Sequence, residues 1–523
     1  MKSILNNIRI NARRAGNDPE GQLRQLVCRE YALPPAALKQ LTILNRSIDS
    51  RRSDPMLVYK LLIEADDAHA ARLAPATPEE LAALAPASLE LPPSGLRNPL
   101  VLGTGPAGIF GALALALAGT HPIVLDRGAP LEERCADHEK FLRTRELDEE
   151  SNLLIGEGGA GTFSDGKLYT GTHDARGRFV IEALIAAGAP PEIRCLARPH
   201  VGSDGLKRTC VALRRRIMEL GGEFRFHAHV REILDSNGRF RGVRLANGET
   251  LIAPALLFAP GLGGRALVRE AARRFGGAEP KPFQMGCRIE HPQDFIDRKQ
   301  YHGSRPECLG AAEYHIAAGG VSSFCMCPGG TIVNASAWAR HSCTNGMSLH
   351  ARDSEFANAA LIVTLRSQEF SAPEEPFELI DRLESEVFLR GGEDYTFPAQ
   401  DADAFLRGSL RLSRKDNSAE TGYVPGRIDE LLPKRVRDTL AGALRDFDRK
   451  LPGFIRHGVL VGAEACVSSP LRLLCDARGE WSALPGVHPA GEGVGAAGGI
   501  VSAACSGIRA AETMLWNHPP ARA

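Results

Sequence analysis

The chain has 523 residues, enough for two or three domains with a large hydrophobic core. Hydrophobic residues make up 43% and charged residues 24%, a composition typical of soluble globular proteins. Lys plus Arg and Asp plus Glu both number 63, and this balance argues against nucleic acid or an anionic membrane as a partner. The chain shows no signal peptide, and its longest apolar run, 109–118, is too short to span a bilayer. Twelve cysteines without zinc-site spacing or a C-x-x-C pair predict reduced thiols, a cytoplasmic location and no metal site.

Residues 1–70 alternate β-like and helix-like runs, which predicts a small α+β domain. Strands are expected at 4–10 and 56–64, and helices at 20–30 and 34–40. The next stretch, 71–97, is rich in Ala and Pro, so we expect a linker with one short helix.

A glycine motif lies within residues 98–127, between two short apolar runs and before a helix pattern of small residues. Gly103, Gly105 and Gly108 form G-x-G-x-x-G in the strand–turn–helix context that dinucleotide binding requires. Asp126 ends the second apolar run, where a carboxylate can accept ribose hydroxyls. A glycine turn alone is weak evidence, but both strands and the acid favour a dinucleotide site. The expected ligands here are Gly103, Gly105, Pro106, Ala107, Gly108, Asp126 and Arg127.

A second glycine-rich stretch, GEGGAGTFSDGK, spans residues 156–167. Such a loop exposes backbone N–H groups to an anion, although a flexible surface loop is the simpler alternative. We favour a loop that contacts the cofactor phosphates, because the dinucleotide site at the first motif predicts a second loop beside them. Its expected ligands are Gly158, Gly159, Ala160, Gly161, Thr162, Ser164, Asp165, Gly166 and Lys167.

The stretch 202–282 predicts a helix at 205–220, a strand at 224–234 and two hairpins with turns at 237–238 and 247–248. Each turn is an Asn-Gly pair, the strongest short-range hairpin signal. The meander leads to a buried strand at 255–258, a frequent third element of flavoproteins with dinucleotide folds. Val230, Ala259 and Gly261 are its expected cofactor contacts.

Residues 283–454 are rich in predicted strands, with helices at 376–389 and 428–450, and are the candidate substrate domain. A glycine turn after residue 484 then leads into a helix within 495–511. We expect the N-terminus of this last helix to face the bound dinucleotide or its pyrophosphate. Its expected contacts are Gly491, Glu492, Gly498, Gly499 and Ile500.

Two cysteines, Cys325 and Cys327, lie on a predicted strand that ends in a Pro-Gly-Gly turn. On a regular strand they share a face with Cα atoms about 6.5–7 Å apart, at or beyond disulfide reach. They are therefore expected to fill a pocket wall, and Cys327 is the candidate for a catalytic thiol.

Several long motifs resemble those of uncharacterised FAD-dependent dehydrogenases with a small N-terminal domain, within the glutathione-reductase-type flavoproteins. They include GEGGAGTFSDGKL at 156–168, NGMSLHARDSEFANAAL at 345–361 and GEGVGAAGGIVSAA at 491–504. The resemblance implies an α/β fold whose Rossmann-like FAD-binding domain is discontinuous, with a β-rich α+β substrate domain and a small N-terminal α+β domain. The implied ranges are 98–170, 202–282 and 455–523 for FAD binding, 171–201 for a connection, and 283–454 for the substrate domain.

This chain departs from the family pattern at polar positions. Leu262-Gly-Gly-Arg-Ala266, Ala465 and Cys466, Ala496 and Ser506 replace the expected residues. The glycines of the family motifs are kept, while polar side chains near the implied site are lost. This pattern indicates either a more specialised activity than that of the family or neutral drift.

The resemblance implies an oxidoreductase, a dehydrogenase or reductase, that acts on a small molecule through non-covalent FAD. A flavin-dependent monooxygenase and a flavin-loaded binding or sensor protein are the alternatives. A second G-x-G-x-x-G in strand–helix context is not found in the sequence, so we expect any NAD(P)H to bind transiently. The substrate and the oligomeric state are left open.

Overall fold

The computed structural model describes residues 1–16, 18–69, 71–85, 87–169, 171 and 174–521. The strands are β1 (Lys2–Asn11), β2 (Leu38–Asp49), β3 (Met56–Ala65), β4 (Leu100–Leu102), β5 (Ile123–Leu125), β6 (Glu223–Arg225), β7 (Val230–Ser236), β8 (Arg239–Leu245), β9 (Thr250–Ile252), β10 (Leu256–Phe258), β11 (Ala278–Pro280), β12 (Phe283–Pro292), β13 (Ala317–Ala318), β14 (Val321–Cys327), β15 (Thr331–Asn334), β16 (Thr344–Met347), β17 (Phe356–Leu365), β18 (Phe397–Asp401), β19 (Tyr423–Pro425), β20 (Val459–Glu464), β21 (Leu471–Leu473) and β22 (Val487–Pro489). The helices are α1 (Ala12–Ala15), α2 (Pro19–Glu30), α3 (Pro78–Ala82), α4 (Pro106–Leu117), α5 (Leu131–Thr144), α6 (Arg176–Ala186), α7 (Gly202–Glu219), α8 (Arg265–Phe275), α9 (Gln293–Gln300), α10 (Glu375–Arg390), α11 (Ala402–Arg407), α12 (Ile428–Leu431), α13 (Lys434–Lys450), α14 (Phe454–His457) and α15 (Ile500–Asn517).

A five-stranded parallel sheet in the order β22-β10-β4-β5-β6 forms the first layer. Its central strands are short apolar runs buried on both faces, as expected of a parallel sheet covered by helices. Helices α4 and α15 pack against each other, and both contact strand β10. The turns that follow β4, β5, β10 and β22 lie at the carboxyl edge of the sheet, where α/β folds bind ligands.

A seven-stranded mixed sheet in the order β13-β14-β17-β12-β20-β18-β19 forms the second large layer. Its long central strands, β12 and β17, pair antiparallel over their whole length. The N-terminal sheet, in the order β1-β3-β2, shares one hydrophobic cluster with this layer. The guanidinium of Arg13 also donates hydrogen bonds to the carbonyls of Tyr301 and Ser304, which fixes the N-terminal sheet to this layer.

The structure confirms most of the predicted elements and corrects three. Residues 428–450 were expected to form one helix, but Pro433 separates α12 from α13. Residues 34–40 were expected to be helical, but a single 3-10 turn over Pro35–Ala37 leads directly into β2. Residues 224–234 were expected to form one strand, but they divide between β6 and β7, which belong to different sheets. The chain turns between them at His227, which has a φ of 54°.

The mixed α/β fold with a parallel sheet is therefore established, while the exact domain limits stay a prediction. Two of the expected boundary residues, 70 and 170, lie outside the described residues. In the part of the chain that the structure describes, no helix is long and apolar enough to cross a membrane.

Helices α4 and α15 depend on Gly507 for their close packing. A Cβ on Gly507 would overlap the backbone carbonyl of Ala107, whereas Gly442, an exposed glycine of α13, has no neighbour within 4 Å of its Cβ position. We expect Gly507→Ala to destabilise the protein by about 1–3 kcal/mol, because a backbone clash forces the helices apart. The control Gly442→Ala should stabilise it by about 0.5–1 kcal/mol. Thermal unfolding followed by circular dichroism checks both, and equal upward shifts of the two midpoints would contradict the close contact.

Candidate functional site

The first glycine motif forms the tight turn that the sequence predicts between β4 and α4. Gly103 has a φ of 96°, and its N–H donates to the carbonyl of Leu125 at 2.8 Å. A Cβ on Gly103 would overlap the carbonyl of Ala259, and one on Gly108 would overlap the carbonyl of Gly103. Both glycines are therefore required by packing.

Gly105, the residue before α4, differs from the other two glycines. Its φ of −67° and ψ of 179° are open to any amino acid, and its Cβ position has no heavy atom within 4 Å. Pro106 and Ala107 begin the helix directly after it. The space in front of this helix N-terminus is open to a ligand.

The second glycine-rich loop folds over this turn. The N–H of Gly158 donates to the carbonyl of Thr104 at 3.0 Å, and a 3-10 turn covers Gly159–Phe163, which includes Ala160. The Cβ position of Gly159 lies 3.3 Å from the Cα atom of Gly105. Within the loop, Ser164 donates to the carbonyl of Gly161 at 2.7 Å and accepts from the N–H of Gly166 at 3.1 Å.

The last helix reaches the same loop. Gly499 has a φ of 78° and precedes Ile500, the first residue of α15. The Cβ position of Gly161 lies 3.7 Å from side-chain atoms of both Pro106 and Ile500. The N-termini of α4 and α15 thus converge on one loop, and both contribute partial positive charge there.

The turns after β10 and β22 lie beside each other at the same edge. A Cβ on Gly493 would overlap the carbonyl of Gly261, which follows Ala259 at the end of β10. The Cβ position of Gly491 lies 3.0 Å from Cβ of Ala107. The carboxylate of Glu492 occupies the space next to Gly498, and burial raises the pKa of this carboxyl group.

A cavity of about 40 Å³ lies where α4, α15 and the glycine-rich loop meet. One wall contains Thr104, Pro106, Gly158, Gly161, Thr162 and Ile500. The other wall is mostly apolar and contains Ile109, Phe110, Leu184, Leu206, Thr209, Cys210 and Leu213. Five of these lining residues were expected contacts, and the structure brings them together from three distant parts of the chain.

Arg134 of α5 supports the loop from within, and sequence reasoning did not single it out. Its fully buried guanidinium donates to the carbonyls of Asn152, Glu157 and Gly159 at 2.6–2.9 Å. Burial lowers the pKa of Arg134 to about 10, and its Nη2 atom has no hydrogen-bond partner among the described residues. The charged pattern of α5 suggests a solvated face, so no local signal distinguishes Arg134 from its neighbours.

Three further expected contacts, Asp126, Arg127 and Val230, are held by interactions within the protein itself. Asp126, 7% exposed, accepts hydrogen bonds from the N–H and hydroxyl of Thr104 and from the N–H of Gly128. Arg127 forms a two-bond ion pair with Glu150 at 2.8 and 2.9 Å. Val230 is buried at the first residue of β7. Of the three, Asp126 is tied directly to the glycine turn through Thr104.

Asp165 and Lys167 lie at the far end of the loop, in an ion network with Arg352. The Lys167 ammonium donates to the Asp165 carboxylate at 2.7 Å and to the carbonyl of Met326. Asp165 also accepts two hydrogen bonds from Arg352. This end of the loop therefore contacts β14 rather than the glycine turn.

The regular-strand geometry expected for the two cysteines is wrong. Cys327 is buried at the end of β14, but the pairing with β17 shifts register between Phe324 and Cys327. The extra residue produces a β-bulge, in which Cys325 has a φ of 41°. Side chains therefore do not alternate regularly between the two faces of the strand at this point. The expected shared face and Cα separation of Cys325 and Cys327 do not apply.

A second, smaller cavity lies next to the turn after β10. Its lining contains several departures from the family pattern, namely Leu262, Ala465 and Cys466, together with Ser468, Ser469 and Gly493. The nearby Arg265 is paired with Glu384 and Asp381. Of the other departures, Ser506 accepts a hydrogen bond from the N–H of Gly491 at 3.3 Å, and the N–H of Ala496 donates to the carbonyl of Gly491 at 3.0 Å.

Comparison with known proteins gives a domain family and a full-length relative. Residues 282–466 match the family "FAD-dependent protein, C-terminal domain-like", and residues 1–64 match a domain of unknown function, DUF8436. A Clostridium beijerinckii protein described as uncharacterized is 36% identical over 532 residues, covering 98% of this chain and 99% of that protein.

Similarity to solved structures is distant. Glycine oxidase from Bacillus cereus is 10% identical with a TM-score of 0.31, covering 81% of this chain and 99% of its own. GidA from Aquifex aeolicus is 13% identical with a TM-score of 0.34, covering 82% and 65%. A geranylgeranyl bacteriochlorophyll reductase-like protein from Thermoplasma acidophilum is 14% identical with a TM-score of 0.34, covering 80% and 79%. Likenesses this low carry no information on activity.

Arg134 should be essential for the order of the glycine-rich loop. We expect Arg134→Met to leave the carbonyls of Asn152 and Glu157 without a donor, at a cost of about 1–3 kcal/mol for each, while the Gly159 carbonyl keeps the hydroxyl of Thr162. Hydrogen–deuterium exchange should then accelerate within 156–163, while the exposed control Arg143→Met on the same helix leaves it unchanged. Unaltered exchange in Arg134→Met would refute this role.

Proposed function

We propose that this chain, which belongs to the family of its full-length Clostridium beijerinckii relative and contains the C-terminal domain of FAD-dependent proteins, is an oxidoreductase that uses non-covalent FAD. One observation carries the proposal: two helix N-termini and a glycine-rich loop converge on one cavity at the carboxyl edge of a parallel sheet. Such an edge binds dinucleotides because backbone N–H groups and helix dipoles favour the pyrophosphate.

The residues at this edge fit the charge of the cofactor. Gly105 offers open space at a helix N-terminus, and Arg134 adds a buried cation beneath the loop, whose Nη2 atom has no hydrogen-bond partner among the described residues. A pyrophosphate placed before Gly105 and the loop backbone would receive donors from both sides. FAD bound there would accept two electrons from a substrate and pass them on.

Asp126 is the proposed acceptor for the ribose hydroxyls. Its carboxylate receives three hydrogen bonds from the protein, and two carboxylate oxygens offer about four acceptor positions in all. The bonds from Thr104 and Gly128 hold the carboxylate in place at the end of β5. A ribose hydroxyl therefore meets an acceptor that is already oriented.

We place the substrate, a small molecule, in the second cavity. That cavity lies beside the turns that carry Gly261 and Gly493, and its charged lining residue, Arg265, is neutralised by two carboxylates. An uncharged or weakly polar substrate fits this lining better than a strongly ionic one, because an unpaired buried charge is costly.

Two alternatives use the same cofactor. A monooxygenase would consume oxygen in proportion to substrate, and a flavin-loaded binding protein would not be reduced by any donor. A metabolite screen that follows bleaching of the flavin band at about 450 nm identifies a donor for a dehydrogenase or reductase. Oxygen uptake measured with that donor separates the monooxygenase, and absence of bleaching with every donor indicates the binding protein. We expect NAD(P)H, if it is the donor, to bind only transiently.

Gly105→Val tests the cofactor site directly. The backbone at Gly105 accepts a side chain and its Cβ position is open, so the variant should fold, yet the side chain would fill the pyrophosphate approach. We expect a purified protein without bound FAD, measured by absorbance and by acid release. The control Gly310→Val, at an exposed glycine with equally open surroundings, should keep its FAD. A fully yellow Gly105→Val protein would contradict the assignment.

Cys466→Trp tests the second cavity. The indole would occupy the space beside Ala465, so a donor that bleaches the wild-type flavin should fail to bleach the variant. FAD content should be unchanged, and Cys475→Trp, at an exposed cysteine, should behave as wild type. Equal bleaching rates in Cys466→Trp and wild type would show that the substrate does not bind in the second cavity.

A further inference from the structure

The bulge at Cys325 places a cysteine in a strained backbone conformation. Phe324 pairs with Ala360 and Cys327 with Asn358, so β14 has one residue more than β17 over this interval. Cys325 occupies the left-handed region with a φ of 41°, which is uncommon for a residue with a side chain. Bulges of this kind are over-represented next to active sites, where they redirect a side chain.

Two cations, the half-buried Lys167 and the fully buried Arg288, hold the backbone of this bulge. Lys167 donates to the carbonyl of Met326, and Arg288 donates to the carbonyl of Cys325 at 3.4 Å. Lys167 is paired with Asp165, and Arg288 with Glu464 at 2.8 Å. The charged groups that act on the Cys325 thiol are therefore Lys167 and Arg288, which favour a thiolate, and Asp165, which opposes it.

The two thiols are not equivalent. Cys327 is fully buried and its thiol donates to the carbonyl of Cys325 at 3.2 Å, whereas Cys325 is partly exposed. The neighbouring Cys327 thiol lowers the pKa of Cys325 to about 6 against the effect of burial, and Lys167 and Arg288 lower it further. The proximity of Cys325, together with burial, raises the pKa of Cys327. These shifts favour the thiolate on Cys325, the more exposed of the two cysteines.

We propose that Cys325 and Cys327 form a redox-active dithiol, in which Cys325 is the nucleophile, Cys327 is the resolving thiol, and a hydroperoxide is the oxidant. The Cys325 thiolate attacks one peroxide oxygen and the O–O bond breaks. Cys325 becomes a sulfenic acid, and the leaving oxygen takes up a proton as water or an alcohol. The Cys327 sulfur then attacks the sulfenic sulfur, the S–S bond forms, and the hydroxide leaves as water with the proton of the Cys327 thiol.

This proposal stands apart from the cofactor assignment, because its chemistry needs only the two thiols and the peroxide. The step from sulfenic acid to disulfide also requires the two sulfur atoms to approach closely. The bulge already brings the Cys327 sulfur to 3.2 Å from the carbonyl oxygen of Cys325, which places the two residues side by side.

Alkylation tests the nucleophile. The full-length protein as purified is treated with limiting iodoacetamide between pH 5 and 9, and each cysteine is quantified by peptide mass spectrometry. Cys325 should react with a midpoint near pH 6, and at pH 7 at least tenfold faster than the exposed Cys475, whose pKa is raised by burial and by Asp476. Lys167→Gln should move the Cys325 midpoint to higher pH. A Cys325 that is no more reactive than Cys475 at pH 7 would overturn the proposal.

Oxidation tests the pair. Hydrogen peroxide at a few equivalents should convert the wild-type peptide that carries both cysteines into a form lighter by two hydrogen atoms, and a thiol reductant should reverse this. In Cys327→Ser, a dimedone adduct on Cys325 should accumulate instead, while the control Cys475→Ser should form the disulfide as wild type does. Oxidation of Cys325 straight to sulfinic acid in the wild type, or its pairing with another cysteine, would exclude Cys327 as the resolving thiol. The wild-type result decides the question even if the Cys327 variant does not fold.

Discussion

The close approach of backbone to backbone at three glycines is the constraint on which this structure depends. At Gly103, Gly108 and Gly507 a Cβ atom would overlap a carbonyl oxygen of a neighbouring segment. Without those Cβ atoms, the glycine turn, the first helix of the parallel sheet and the last helix of the chain pack at backbone distance. The convergence of the two helix N-termini on one loop follows from this packing, because a wider separation would leave the loop without common support.

The loop 156–167 joins two chemically different places. Its glycine end lies against Gly105 and is held from within by Arg134, while its charged end places Lys167 and Asp165 beside the bulged strand β14. Buried cations are costly unless they are paired or hydrogen-bonded, and the loop carbonyls and carboxylates supply those partners. The carboxyl edge of the parallel sheet and the strand that carries the two cysteines are therefore connected through one short segment of chain.

The N-terminal sheet is integrated with the middle of the chain rather than tethered to it. Its buried strands share a hydrophobic cluster with the seven-stranded sheet, and Arg13 and Cys308 add polar contacts across the boundary. A sheet of three strands needs such a partner for stability, since it buries only one face by itself. The N-terminal sheet therefore supports the seven-stranded sheet, which contains β14.

The sequence by itself determined the features that local chemistry controls. The turn at 103–108, the Asn237-Gly238 hairpin and the glycine before the last helix follow from conformations that these residues adopt most easily, and the structure confirms them. The family match at 282–466 likewise agrees with the FAD-dependent family that the motifs indicated. Only the tertiary structure decided the bulge at Cys325, the division of 224–234 between two sheets and the position of Arg134. Register, sheet membership and the partners of a buried charge depend on segments far away in the chain, and no local pattern of residues records them.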